Sequence, residues 1–175
     1  MIPLFDELLT RKLPLVTLTL IFMNIVVFIF TMGLLISGTE KANRFVYRYS
    51  MVPWEITHHK HVSISDLEDP EEHPDPEAPD RNPYGKNIYL ALLTHMFLHG
   101  GVFHVLGNMW FLWVFGGNVE EVYGGLPFLL FYLFCGLCAA LAQWASSAQE
   151  VVIMLGASGA ISGVMGAYLV LYPRQ

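Results

Sequence analysis

Apolar and polar positions divide the chain into four long uncharged runs, two short polar breaks and one long polar loop. No Asp, Glu, Lys or Arg occurs in residues 13–39, 87–119, 122–149 or 151–173. Each run exceeds the ~20 apolar residues that cross a bilayer as a helix. Backbone in lipid must satisfy its own hydrogen bonds, so such runs are read as helices. The pattern predicts an all-α membrane protein, a polytopic bundle with four transmembrane helices. The first span runs from Leu13 to Ser37, with Pro14 in its first turn, where a missing N–H costs little. Residues 88–117 are either the second span or a surface helix leading into one. Gly116-Gly117 and Gly124-Gly125 bracket NVEEVY, which is read as a short turn. The third span covers Leu126 to Ala145, and the fourth begins near Ala157 and ends before Tyr172. A water-soluble helical core is the competing reading, and four such runs in series weigh against it. The first run is too long for a signal-peptide core and lacks a convincing cleavage site, so it is read as a retained anchor.

The loop, residues 38–87, is long enough to suggest a function or partial disorder. Its first part, RFVYRYSMVPWEI, mixes Phe45, Tyr47, Tyr49 and Trp54 with Arg44 and Arg48, as interfacial segments do. Its second part, DLEDPEEHPDPEAPD, has eight acids and four prolines in fifteen residues. Self-repulsion and scarce apolar content predict a disordered segment at about 62–86. His58, His59, His61 and His73 flank or enter it. A histidine–carboxylate cluster can bind a transition metal, but nothing fixes a geometry, so the expectation is a solvated loop and no metal site.

Composition sharpens the class. The 175 residues are 54% hydrophobic and 14% charged, which is not a soluble composition. The net charge of −6 arises mostly in the acidic loop, and no basic stripe points to nucleic acid. Cys135 and Cys138 form C-x-x-C within the third run. Their apolar neighbours Gly136, Ala139 and Ala140 favour small-residue packing over redox chemistry. The loop holds six Lys and Arg residues against two in the lead of residues 1–12 and one in the tail. By charge alone, the loop would be cytoplasmic.

Ionisable residues inside spans are functional candidates. In THMFLHGGVFHVLGN, His95 and His99 lie near the predicted interface and read as structural or capping residues. His104 and Asn108, at i and i+4, share a helix face; they could be interhelical glue or a functional pair. GASGAISGVMGAY, residues 156–168, contains Gly159, Gly163 and Gly166, a small-residue packing stripe. Ser158 either belongs to that packing or is a nucleophile at the start of a helix, near N–H donors suited to an oxyanion. Ser162 reads as packing.

Together, HGGVFHVLGN, FGGNVEEVYGG and GASG resemble the rhomboid family of intramembrane serine proteases, in the family's order and over roughly residues 13–173. The resemblance implies Ser158 as nucleophile, His104 and Asn108 as oxyanion-stabilising residues, and a structural acid at Glu120. It implies cleavage of peptide bonds in or near the transmembrane helices of membrane-protein substrates, without a cofactor. It also implies a first loop partly immersed in the bilayer and a multi-pass protein of a bacterial inner membrane. Residues 1–12 become a cytoplasmic lead, against the charge count, followed by a rhomboid-like domain over 13–175. All seven histidines precede residue 105, whereas the family's base lies on a later helix. The catalytic base is therefore expected to be absent, and the chain is read as an N-terminal portion without turnover of its own. Reassigning His104 as base would remove it from the oxyanion role. An arginine that many members carry before the second span is absent, apart from the more distant Lys86. A non-catalytic relative that binds transmembrane clients is the alternative; a transporter fragment lacks the paired interrupted helices it would need.

Overall fold

The computed structural model describes residues 13–63, 66–67, 74–82 and 84–173. The expected cytoplasmic lead at 1–12 and His73 lie outside the described residues. Its helices are α1 (Leu15–Ser37), α2 (Thr39–Tyr49), α3 (Pro53–His58), α4 (Ile88–Thr94), α5 (Val102–Tyr123), α6 (Gly125–Ser146) and α7 (Ser158–Leu171). A 3-10 turn, His95–Phe97, follows α4. The bundle packs α1, α5, α6 and α7 around Leu20, Leu112, Phe128, Tyr132 and Val164, all nearly inaccessible. Large apolar side chains such as Phe103, Trp113, Phe134 and Val170 point outward, a surface suited to acyl chains rather than water.

The count of four spans changes. Two helices, α1 and α6, are long and apolar enough to cross a bilayer alone. The segment Ile88–Phe97 and α5 make a third only as one broken span, bent by 80°. The break falls at His99-Gly100-Gly101, where the backbone leaves the helix. With 14 residues, α7 is about 21 Å long, short of the ~30 Å hydrocarbon core. The first part of the fourth run is not helical because it pairs with the first loop. Met51 N–H donates to the Met154 carbonyl (3.1 Å) and Met154 N–H to that of Met51 (2.8 Å).

NVEEVY is not a turn between spans but the last part of α5. Gly116 lies inside that helix because Thr17 of α1 crosses it: a Cβ there would come within 2.9 Å of Thr17 Cγ2. The helical course brings Glu120 to the start of α1. Its carboxylate accepts from Val16 N–H (2.9 Å), Thr17 N–H (2.7 Å) and the Thr17 hydroxyl (2.8 Å). These are amides that a helix start leaves unpaired, at its positive end.

The first loop is folded at both ends of its acidic part. Val62 is fully buried and Lys86 nearly so, which corrects the expectation of disorder there. Residues 64, 65, 68–73 and 83 lie outside the described residues. Lys86 Nζ sits 2.5 Å from Glu55 Oε2, both side chains fully buried, and 4.2 Å from the centre of the Tyr47 ring. Glu55 Oε1 also accepts from Val62 N–H and lies 2.6 Å from the Tyr47 hydroxyl. Burial pushes the Lys86 ammonium below its ordinary range, opposed by Glu55, while burial and Glu55 push the Tyr47 phenol up. Further out, His61 places Nδ1 3.0 Å from Asp80 and Nε2 3.1 Å from the Lys86 carbonyl.

Candidate functional site

The segment that delivers Ser158 is fixed on two sides. Along the first loop, Trp54 N–H donates to the Glu150 carbonyl (3.2 Å), and the Thr57 hydroxyl donates to that of Ala148 (2.7 Å). At its other end, Gly156 N–H donates to the His95 carbonyl (2.9 Å). Gly156 has φ +121°, a backbone state that favours glycine. A Cβ at Gly156 would lie 2.8 Å from both Cε1 and Nε2 of His104, and 3.8 Å from Asn108 Nδ2. The glycine thus admits the imidazole and the amide against the chain just before Ser158.

Ser158 opens α7 and is exposed. No side chain caps that helix, so its first N–H groups keep their donor capacity. His104 is exposed, while Asn108 is 8% exposed. Asn108 Nδ2 is buried with no hydrogen-bond partner among the described residues. An amide donor left open in the interior is costly unless it has a ligand-facing task.

Sequence reasoning placed His99 at the interface as a structural or capping residue. Here it is 5% exposed, and its ring meets His104 edge to face, with centroids 5.1 Å apart. The signal was its spacing of five from His104, masked by the Gly100-Gly101 break. Lys86, which the sequence offers only as a distant basic residue before the second span, is the buried partner of Glu55. His95 is buried and its ring lies 3.1 Å from the Ala91 carbonyl.

Gly159 and Gly163 face α6. A Cβ at Gly159 would lie 2.4 Å from the Ala139 Cβ, and one at Gly163 2.4 Å from Cys135 Sγ. Gly166 is different: among the described residues, a Cβ there meets nothing within 4 Å. It lies a further turn along α7, on an exposed part of the helix. Ser162 donates to the Ser158 carbonyl (2.8 Å), a local bond typical of helical serine. Cys135 and Cys138 are both free.

The loop histidines go to separate partners. His58 Nδ1 lies 3.0 Å from the Trp54 carbonyl, and His59 Nδ1 2.9 Å from the Tyr89 hydroxyl. Among the described residues, no group of three or more His, Cys, Asp or Glu is placed to hold a metal ion.

The fold and this arrangement define a class: a helical membrane bundle in which a serine opens a short helix, two residues after a glycine that packs against a histidine and an asparagine of a neighbouring helix. The chain belongs to the rhomboid family. A model of the rhomboid domain matches residues 86–175, just over half of the sequence. Over 78 residues the chain is 42% identical to Rhomboid protease GluP of Bacillus subtilis (strain 168), covering 45% of this chain and 15% of that protein. It is 40% identical over 84 residues to RHOMBOID-like protein 1 of Arabidopsis thaliana, covering 48% and 21%. It is 30% identical over 95 residues to the mitochondrial Presenilin-associated rhomboid-like protein of Bos taurus, covering 53% and 25%. The matched stretch is thus a quarter or less of each of these relatives. No solved structure matches the chain significantly. Family membership and the apolar helices make this an integral membrane protein, in a family with bacterial, plant and animal members.

Proposed function

We propose that the chain carries the nucleophile and oxyanion side of a rhomboid-type intramembrane serine endopeptidase acting on transmembrane protein substrates. The observation that carries this reading is Asn108 Nδ2, a buried donor without a partner, next to His104 and the glycine two residues before Ser158. In this reading Ser158 Oγ attacks the scissile carbonyl carbon as a base takes its proton. The developing oxyanion receives hydrogen bonds from Asn108 Nδ2, a ring N–H of His104 and open N–H groups of α7. Collapse releases the amine product and leaves an ester on Ser158, which water then hydrolyses. Among the other described histidines, His95 and His99 are buried and His58, His59 and His61 hold other partners. No cofactor enters the chemistry.

The test is cleavage of a model transmembrane substrate in proteoliposomes by the full-length protein and its Ser158→Ala variant. Cleavage by the parent alone is expected. Equal cleavage by both removes Ser158 as nucleophile. Absence of cleavage and of Ser158 labelling by a fluorophosphonate, with substrate still bound, would favour the non-catalytic client-binding reading.

A further inference from the structure

On α2, Lys41, Arg44 and Arg48 recur at i, i+3 and i+7, which gathers them on one side of the helix. Arg44, Phe45, Arg48 and Tyr49 of this helix, with Tyr84 across from them, enclose a cleft of about 360 Å³. The Arg44 guanidinium lies 5.3 Å from the centre of the Tyr84 ring, and that of Arg48 5.7 Å from that of Tyr49. A guanidinium over a ring keeps its planar N–H edge available to an anion. Arg44 shares Glu40 in an exposed pair, a weak tie. Arg48 has no carboxylate or hydrogen-bond partner among the described residues.

Depth tells what the cleft meets. α1 has 23 residues, about 34 Å, slightly more than a ~30 Å hydrocarbon core. After Gly38, α2 folds back along it, and the Phe45 ring sits 5.1 Å from that of Phe30. Phe30 lies about 10 Å below the end of α1. Phe45 therefore lies in the outer part of the acyl region, and the long Arg44 and Arg48 side chains can reach from there toward the headgroups.

We propose that this cleft binds the headgroup of an anionic phospholipid, with the Arg44 and Arg48 guanidiniums on the phosphate and Phe45 and Tyr49 on the acyl side. A choline headgroup would bring a cation beside the two guanidiniums, and Glu40 is already paired with Arg44. A neutral glycerol headgroup brings none. Phosphatidylglycerol is thus the favoured probe.

The chain of 175 residues, released from micelles containing equal amounts of phosphatidylglycerol and phosphatidylcholine, is examined by native mass spectrometry. Phosphatidylglycerol adducts should exceed phosphatidylcholine adducts by about tenfold, as charge-assisted bidentate contacts imply. Arg44→Gln and Arg48→Gln should each remove that preference, with phosphatidylcholine adducts unchanged as a check on folding. Arg48→Lys should fail to restore it, because an ammonium lacks the guanidinium fork. Lys41→Gln, on the same side of the helix but outside the cleft, should keep it. Three results would overturn the assignment. They are equal retention of the two lipids, equal losses from Lys41→Gln and Arg48→Gln, and displacement of the lipid by excess inorganic phosphate.

Discussion

Asn108 separates two accounts of a polar pair in a membrane helix. If its amide were interhelical glue, truncation would cost stability; here the donor is buried without a partner, so truncation removes an unmet desolvation cost. Asn108→Ala is expected to leave the thermal midpoint of the chain unchanged or raised. In the proteoliposome cleavage assay proposed above it should lower cleavage by about a hundredfold, the scale of a lost oxyanion donor. A lowered midpoint would return Asn108 to a packing role. In the loop, the His61 N–H beside Asp80 holds that carboxyl below its ordinary 3.8. The folded state then binds fewer protons than the unfolded one, so Asp80 stabilises fully above pH 3.8. That stabilisation is lost as pH falls through the lowered value. Trp54 lines the same cleft as His61 and Asp80. Its fluorescence should therefore change with acid in the parent chain over that range, and Asp80→Asn should remove that change. At this scale the sequence disclosed residue types but not burial. Asn108 was legible from its spacing to His104, whereas Lys86 looked like a solvated loop charge because its partner Glu55 is 31 positions away.

Between elements, α6 and α7 approach closely where their small residues face each other. Gly159→Val and Gly163→Val would drive side chains into Ala139 and Cys135, and each is expected to cost about 1–3 kcal/mol of stability. Gly166→Ala meets open space and should be neutral or slightly stabilising, because alanine loses less backbone entropy than glycine in a helix. Thermal unfolding of the three variants in micelles checks the order, and a Gly166→Ala loss equal to the others would contradict this packing. The stripe was readable from i and i+4 spacing. Where it stops contacting α6 was not, since spacing carries no crossing geometry. Uncharged run length likewise overcounted spans: the fourth run is apolar throughout, but Val151 to Gly156 spends its backbone bonds on the first loop and His95. NVEEVY shows the converse. Flanking glycines suggested a turn, while Thr17 packing against Gly116 and Glu120 on α1 keep the segment helical.

Across the whole molecule, the two ends of the first loop are joined to each other through buried polar groups. Glu55 and Lys86 are both fully withdrawn from water, so removing one strands the other's charge. Lys86→Met is expected to destabilise the chain by about 3–5 kcal/mol, and Glu55→Leu with Lys86→Met by much less. A double-mutant cycle on thermal or denaturant midpoints measures the difference, and additive losses would show that the pair is not coupled. The loop's aromatic and basic composition announced an interfacial segment. It did not announce that the segment is folded and tied to the approach to Ser158, because those ties run largely through backbone groups that any sequence supplies.

The pairing of Met51 with Met154 has a consequence for assembly. It joins positions 103 apart in sequence, so it cannot form until α4, α5 and α6 have been made and inserted. Closing so large a loop is entropically slow. The approach to Ser158 should thus be among the last parts of the chain to acquire its native shape during synthesis, staying unorganised while the membrane helices are still being threaded.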